Sequence, residues 1–291
     1  MAVGNHVENP FEYVLEKLSW MAEDVRSALL APARRHVAAT PPVVRRIAAA
    51  DLWTALRQGA QDLGAVRDDV LFIALIYPVA GLVLARLAFS YNMLPLVFPL
   101  ASGFALIGPL AAIGLYEISR RREAGEPVNW AAGLSVLRSP AIGSILGLGA
   151  ILLMLFFAWL AAAWGIYAAT LGPAPPVSLG GFVRDVFETP AGWAMMVIGI
   201  GVGFLFAALA LAISVVSFPL LLDRDLGIGS AVGASLRAVA ANPWTMGLWG
   251  AIVAGGLVLG SLPGLVGLIF VMPVLGHATW HLYRKAIAPP A

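Results

Sequence analysis

Cysteine is absent and charge is scarce. With no cysteine in 291 residues, disulfides, thiolate catalysis and cysteine-ligated metal clusters are excluded, while oxidising and reducing compartments both stay open. Charged residues make up 12% of the chain, about half the roughly 25% of a soluble domain. The net charge is only +2, and its arginines stand at the ends of apolar runs. They form no clustered basic face of the kind nucleic acid requires, so the reading has no nucleic-acid partner. Also missing are a Ser-His-Asp order, a glycine loop leading to Lys-Ser/Thr, and a His-Glu-x-x-His motif. No catalytic residue and no cofactor is therefore assigned, and the expectation is a non-enzyme. What fills the chain is apolar: 60% hydrophobic residues, with a mean hydropathy of +0.87. That composition predicts an all-α integral membrane protein whose first partner is the lipid bilayer.

The chain divides into an N-terminal segment, 1–44, and a membrane domain, 45–291. The N-terminus has no basic stretch followed by an apolar one, so no cleavable signal is expected. Residues 10–30 follow Asn9-Pro10 and place Phe11, Val14, Leu15, Leu18, Met21, Val25 and Leu29 at helical spacing, which predicts an amphipathic helix. Residues 31–42 read as a linker. A mixed polar segment at 43–69 then leads into a first span reaching toward Phe89, with Arg86 snorkelling to the interface. The second span is expected over 96–116, bent by Pro99 and Pro109. It ends at Glu117 and the run Arg120, Arg121, Arg122. A short amphipathic segment at 130–138 precedes the third span, 141–167, and a loop is expected from there to Pro190 because of the run LGPAPPVSLGG. The fourth span ends at Asp223-Arg224-Asp225. A second amphipathic linker, 230–242, leads to a short fifth span and a sixth, separated at Ser261-Leu262-Pro263-Gly264.

Six spans put both termini on one side. The basic residues Arg45, Arg46, Arg57, Arg67, Arg120, Arg121, Arg122, Arg138, Arg224, Arg237, Arg284 and Lys285 fall on that side, and only Arg86 and Arg184 on the other. This is a positive-inside bias, so both termini are expected in the cytoplasm. Each pair of spans is also preceded by a Leu-Arg pair, Leu56-Arg57, Leu137-Arg138 and Leu236-Arg237. These pairs predict three parallel two-helix repeats, each led by a cytoplasmic amphipathic segment.

Two histidines lie in the membrane domain. His277 and His281 are four apart and share a helix face, a spacing that can present two nitrogens to one metal or haem. Asp223, Asp225, Glu117 or Glu123 would have to add an oxygen; the plainer reading is a pair of histidines bonded to a neighbouring helix. No span interior carries a convincing ionisable residue, which argues against an ion-coupled transporter. Small residues at four-residue spacing, Gly143/Gly147, Gly199/Gly203 and Gly256/Gly260/Gly264, predict close helix packing. Glu117, Arg120, Arg121, Arg122, Asp223, Arg224 and Arg284 are read as residues of topology and interface.

The stretches GPLAAIGLYEISRRREAGEPVNW, SFPLLLDRD, NPWTMGLWG and GHATWHLYR resemble a bacterial integral-membrane family catalogued as a domain of unknown function. The resemblance covers roughly residues 45–285. Some members of that family carry a cytochrome c oxidase subunit label. The resemblance implies a multi-pass protein of the bacterial inner membrane and an accessory, assembly or interaction role, with a respiratory oxidase or another membrane complex as partner. An oxygen-reducing subunit needs many intramembrane histidines, and this chain offers two. The alternatives that stay open are a carrier or channel for a small or lipid-like solute, and a haem- or metal-handling protein using His277 and His281.

Overall fold

The computed structural model describes residues 42–65, 86, 94–128 and 130–289. The amphipathic helix expected over 10–30, nearly all of the linker, and the first span expected toward Phe89, apart from Arg86, lie outside the described residues.

Helix α1 (Ala49–Ala65) carries Asp51 in its first turn, where Asp51 Oδ2 accepts from the Ala48 N–H at 2.9 Å and complements the helix dipole. Leu52, Ala55, Gly59 and Asp62 recur at three- and four-residue spacing and are all buried. The apolar stripe of this helix therefore includes one carboxylate.

The span α2 (Leu94–Glu123) has a broken course. Short 3-10 turns at Leu94–Leu96 and Ala105–Ile107 alternate with α-helical Val97–Phe104, Gly108–Ala111 and Ile113–Glu123. Pro109 has no N–H and its ring crowds the carbonyl four residues back, so regular helix stops before it and restarts with it in the first turn. Pro99 instead sits in the first turn of Val97–Phe104, where no intrahelical bond is lost. Its carbonyl accepts from Trp159 Nε1 at 2.9 Å. Of the two prolines expected to bend this span, Pro109 accounts for the break.

Helix α3 (Trp130–Leu134, continued by the 3-10 turn Ser135–Arg138) meets α2 where Gly114 and Gly133 face each other. A Cβ on either would stand 3.2 to 3.3 Å from the other's carbonyl oxygen, so the contact depends on two bare backbones. The spans α4 (Ile142–Thr170) and α6 (Pro190–Asp223) pack together. The loop expected between them contains a helix, α5 (Leu179–Glu188). Ser178 Oγ accepts from the Gly181 N–H at 3.0 Å, and Leu179, Val183, Val186 and Phe187 make an apolar stripe that outweighs the glycines of its first turn. Within α6 the helix breaks at Val215 and Val216, four and three residues before Pro219.

The chain continues as α7 (Ile228–Ala241), α8 (Pro243–Ser261) and α9 (Leu268–Ala286). In α8 a Cβ at Gly256 would lie 3.3 Å from Val271, and one at Gly260 2.9 Å from Leu268, so these two glycines set the approach of α9. Gly147 faces Ile228 and Gly203 faces Trp159 in the same way, whereas Gly199 and Gly264 face open space. Among the described residues four helices, α2, α4, α6 and α8, are long and apolar enough to cross a membrane. α9 is not among them: it carries no Asp, Glu, Lys or Arg before Arg284, but His277, Thr279, Trp280, His281 and Tyr283 make its second half too polar.

Asn242 joins the start of the described chain to its end. Its Oδ1 accepts from the Ile47 N–H at 2.8 Å and its Nδ2 donates to the Arg45 carbonyl at 3.0 Å. Val44 pairs antiparallel with Ile287, and the Arg45 N–H donates to the Ala286 carbonyl at 2.8 Å.

Candidate functional site

The C-terminal ends of α1, α2, α6 and α9 carry polar residues that meet in one layer. The spans explain its position: α2 has 30 residues and α6 has 34, lengths of about 45 and 51 Å that exceed the hydrocarbon core. Their last turns can therefore stand beyond the apolar slab and hold charge.

Three groupings make up the layer. In the first, α9 presents His277 and His281 to α1 and α2. Asp62 Oδ2 lies 2.8 Å from His281 Nε2 and accepts from Ser119 Oγ at 2.6 Å, while Asp62 Oδ1 accepts from Arg122 Nη1 at 2.7 Å. Ser119 Oγ also lies 2.8 Å from His277 Nδ1. Donor accounting fixes the protons. The carboxylate can only accept, so Ser119 spends its hydroxyl hydrogen on Asp62 and accepts from an Nδ1–H of His277. That leaves His277 Nε2 as a bare acceptor, buried and without a hydrogen-bond partner among the described residues. Burial works to raise the Asp62 carboxyl; the hydrogen bonds from His281 and Ser119 outweigh it and hold the group below its ordinary value of 3.8.

The second grouping centres on Glu117, buried on α2 at 4% exposure. Arg120 grips it with Nε at 2.7 Å and Nη2 at 2.9 Å, and Arg121 Nε adds a bond at 2.6 Å. Arg121 Nη2 reaches across to Ser135 Oγ of α3 at 2.8 Å. A fork of this kind is among the stronger hydrogen-bonded arrangements, and here it carries a buried carboxylate. The third grouping ties α9 to α2 and α6. Tyr283 donates to Asp223 at 2.5 Å, Arg284 Nη1 meets the same carboxylate at 3.5 Å, and Glu123 accepts from Trp280 Nε1 at 2.9 Å and Arg284 Nε at 3.0 Å. Arg224 donates through Nη2 to the Ala288 carbonyl.

His277, His281, Glu117, Arg120, Arg121, Arg122, Asp223, Arg224 and Arg284 thus all fall in this layer, in separate pairings. Arg120 and Arg121 serve Glu117; Arg122 turns away to Asp62. The carboxylate beside the histidines is Asp62, and Glu123 and Asp223 instead bond Trp280, Arg284 and Tyr283. Among the described residues no group of three or more His, Asp and Glu is placed to hold a metal ion. Sequence reasoning missed Asp62 and Ser119. The signal for Asp62 was present: it occupies the next position of the Leu52, Ala55, Gly59 stripe.

Asp62, Ser119 and His277 bring together the residue types of a hydrolytic triad, but in the wrong order. The serine bridges acid and histidine, donates to the acid, and is fully buried, so no substrate carbonyl can reach its oxygen.

Four apolar membrane-length helices capped by a charged layer define an integral, multi-pass membrane protein. Residues 97–223 match the model of a family described as "Predicted integral membrane protein (DUF2189)", which bears out the resemblance to an uncharacterised membrane family. The match runs from α2 to the end of α6 and includes Glu117, Arg120, Arg121, Arg122 and Asp223, but not Asp62 or the histidines. No curated protein and no solved structure matches the chain.

Proposed function

We propose that this is a non-enzymatic accessory or assembly protein that works by contact, in the bacterial inner membrane, beside a respiratory terminal oxidase or another membrane complex. The observation that carries the reading is the surface of α1, α3 and α7. Each pairs an exposed arginine with exposed large apolar residues: Arg57 with Trp53, Arg138 with Leu134 and Leu137, Arg237 with Leu236. The carboxylates Asp62 and Asp223 are spent on joining helices and Glu117 on holding Arg120 and Arg121 of its own helix, which suits a rigid platform better than a reaction centre.

The same elements support six passes in three parallel pairs with both termini cytoplasmic. In each Leu-Arg unit the residue just before the leucine is buried, as Ala55, Val136 and Ser235, and the arginine is exposed. A second reading, a carrier for a small or lipid-like solute, is favoured by the broken course of α2, since interrupted helices can line a polar path. Purification in mild detergent with quantitative mass spectrometry separates the two. A stoichiometric membrane complex is expected for an accessory protein, and a lone monomer or homo-oligomer for a carrier.

A further inference from the structure

Beside the Glu117 grouping is a pocket of about 480 Å³, enclosed by the ends of α2 and α6, by α3, and by the residues leading into α4. We propose that it binds an anionic phosphate group. Its polar wall holds four arginines, Arg120, Arg121, Arg138 and Arg224, against the three carboxylates of Glu117, Asp223 and Asp225. Glu117 is already matched by two guanidinium groups, and Asp223 by Tyr283 and Arg284. Positive charge is therefore in excess where the pocket opens.

The donors that remain belong to three different elements. Glu117 and Ser135 engage Nε and Nη2 of Arg121, and Glu117 engages Nε and Nη2 of Arg120, leaving the Nη1 edge of each over. Arg138 is exposed and has no ion pair among the described residues. Arg224 lines the pocket at the end of α6, with its Nη2 given to the Ala288 carbonyl and its Nε buried 3.7 Å from Asp223. Guanidinium groups converging from α2, α3 and the end of α6 suit a tetrahedral oxyanion with several acceptor oxygens better than a planar carboxylate, which one fork satisfies.

The remaining wall is apolar, formed by Val136, Ala141, Leu221 and Leu222, and Leu137 is exposed next to Arg138. A basic pocket between membrane helices with an apolar flank fits the phosphodiester of an anionic lipid headgroup, and the same donors would take free phosphate. The volume falls within the range of small-molecule clefts.

The test uses the full-length protein in detergent, titrated separately with phosphatidylglycerol, phosphatidylcholine and inorganic phosphate, with bound lipid counted by native mass spectrometry and phosphate binding read by thermal shift. Phosphatidylglycerol retained in preference to phosphatidylcholine, and weakened about five-fold by Arg138→Gln, identifies a headgroup site. Saturable stabilisation by inorganic phosphate with the same Arg138 dependence, and no lipid preference, identifies a free-phosphate site. Arg184→Gln, on the distant and exposed α5, should change neither reading. Equal retention of both lipids without a phosphate effect, or binding indifferent to Arg138→Gln, overturns the proposal. Because Arg138 is exposed and supports no other described residue, its loss does not threaten folding.

Discussion

Asp62 and His281 stand 219 positions apart in the chain, and Nε2 of one lies 2.8 Å from Oδ2 of the other. The pairing joins the helix before the first expected span to the last helix of the membrane domain, and Ser119 and Arg122 of α2 share the same carboxylate. Removing the carboxylate leaves a histidine, a hydroxyl and a guanidinium without their acceptor. Asp62→Ala should therefore lower stability by about 2 to 4 kcal/mol, with partial solvation of Arg122 limiting the loss. Asp62→Asn, which keeps an acceptor for Ser119, should lose less. Thermal unfolding in detergent checks both, and an unchanged midpoint for Asp62→Ala would show that the cross-link contributes nothing.

The pH dependence follows from the same carboxylate. Its pKa in the folded protein is below the ordinary 3.8, so the unfolded chain takes up its proton first as pH falls. The stabilisation is complete above 3.8 and disappears as pH drops through the lowered native value. The difference in melting temperature between wild type and Asp62→Ala should shrink as pH falls through that window. A difference that grows on acidification would assign the opposite sign.

Gly59 makes the contact of α1 with α9 possible. A Cβ there would lie 2.6 Å from the Ala278 nitrogen and 2.7 Å from the Val274 carbonyl oxygen, both backbone atoms that cannot swing aside. Gly59→Ala should cost roughly 1 to 3 kcal/mol through overpacking. Gly64→Ala, five residues on with nothing within 4 Å of its Cβ, should be neutral or stabilising by up to about 1 kcal/mol. Melting temperatures of the pair decide the matter, and equal effects would contradict the packing.

Because the chain has no native cysteine, single cysteines report orientation without background. Val177 and Glu126 are both exposed and follow the C-terminal ends of α4 and α2, two spans expected to cross in opposite directions. In intact cells Val177→Cys should react with a membrane-impermeant maleimide, and Glu126→Cys only after permeabilisation. The reverse pattern would invert the positive-inside reading.

Much of the fold was legible because membrane helices are written in charge-free length: α2, α4, α6 and α8 follow from that alone. The Arg120 to Arg122 run marked the polar end of α2 for the same reason. α5 was hidden by glycines and prolines, since a Ser178 cap and a four-residue apolar stripe are weaker signals than LGPAPPVSLGG. α9 departs from an apolar span because half its length belongs to the polar layer. The partners of the histidines were illegible for another reason. Hydropathy shows that Asp62 is charged and that Ser119 precedes the arginines, but only the docking of α1 on α9 brings them together.

The central claim, that the protein works by contact and not by catalysis or transport, is tested most directly by its company in the membrane. Purified from its native membrane in mild detergent and quantified by mass spectrometry, it should co-elute at fixed stoichiometry with a membrane complex, and Asp62→Ala should release it from that complex. Recovery as a lone monomer or homo-oligomer under conditions that keep known membrane complexes intact would contradict the account.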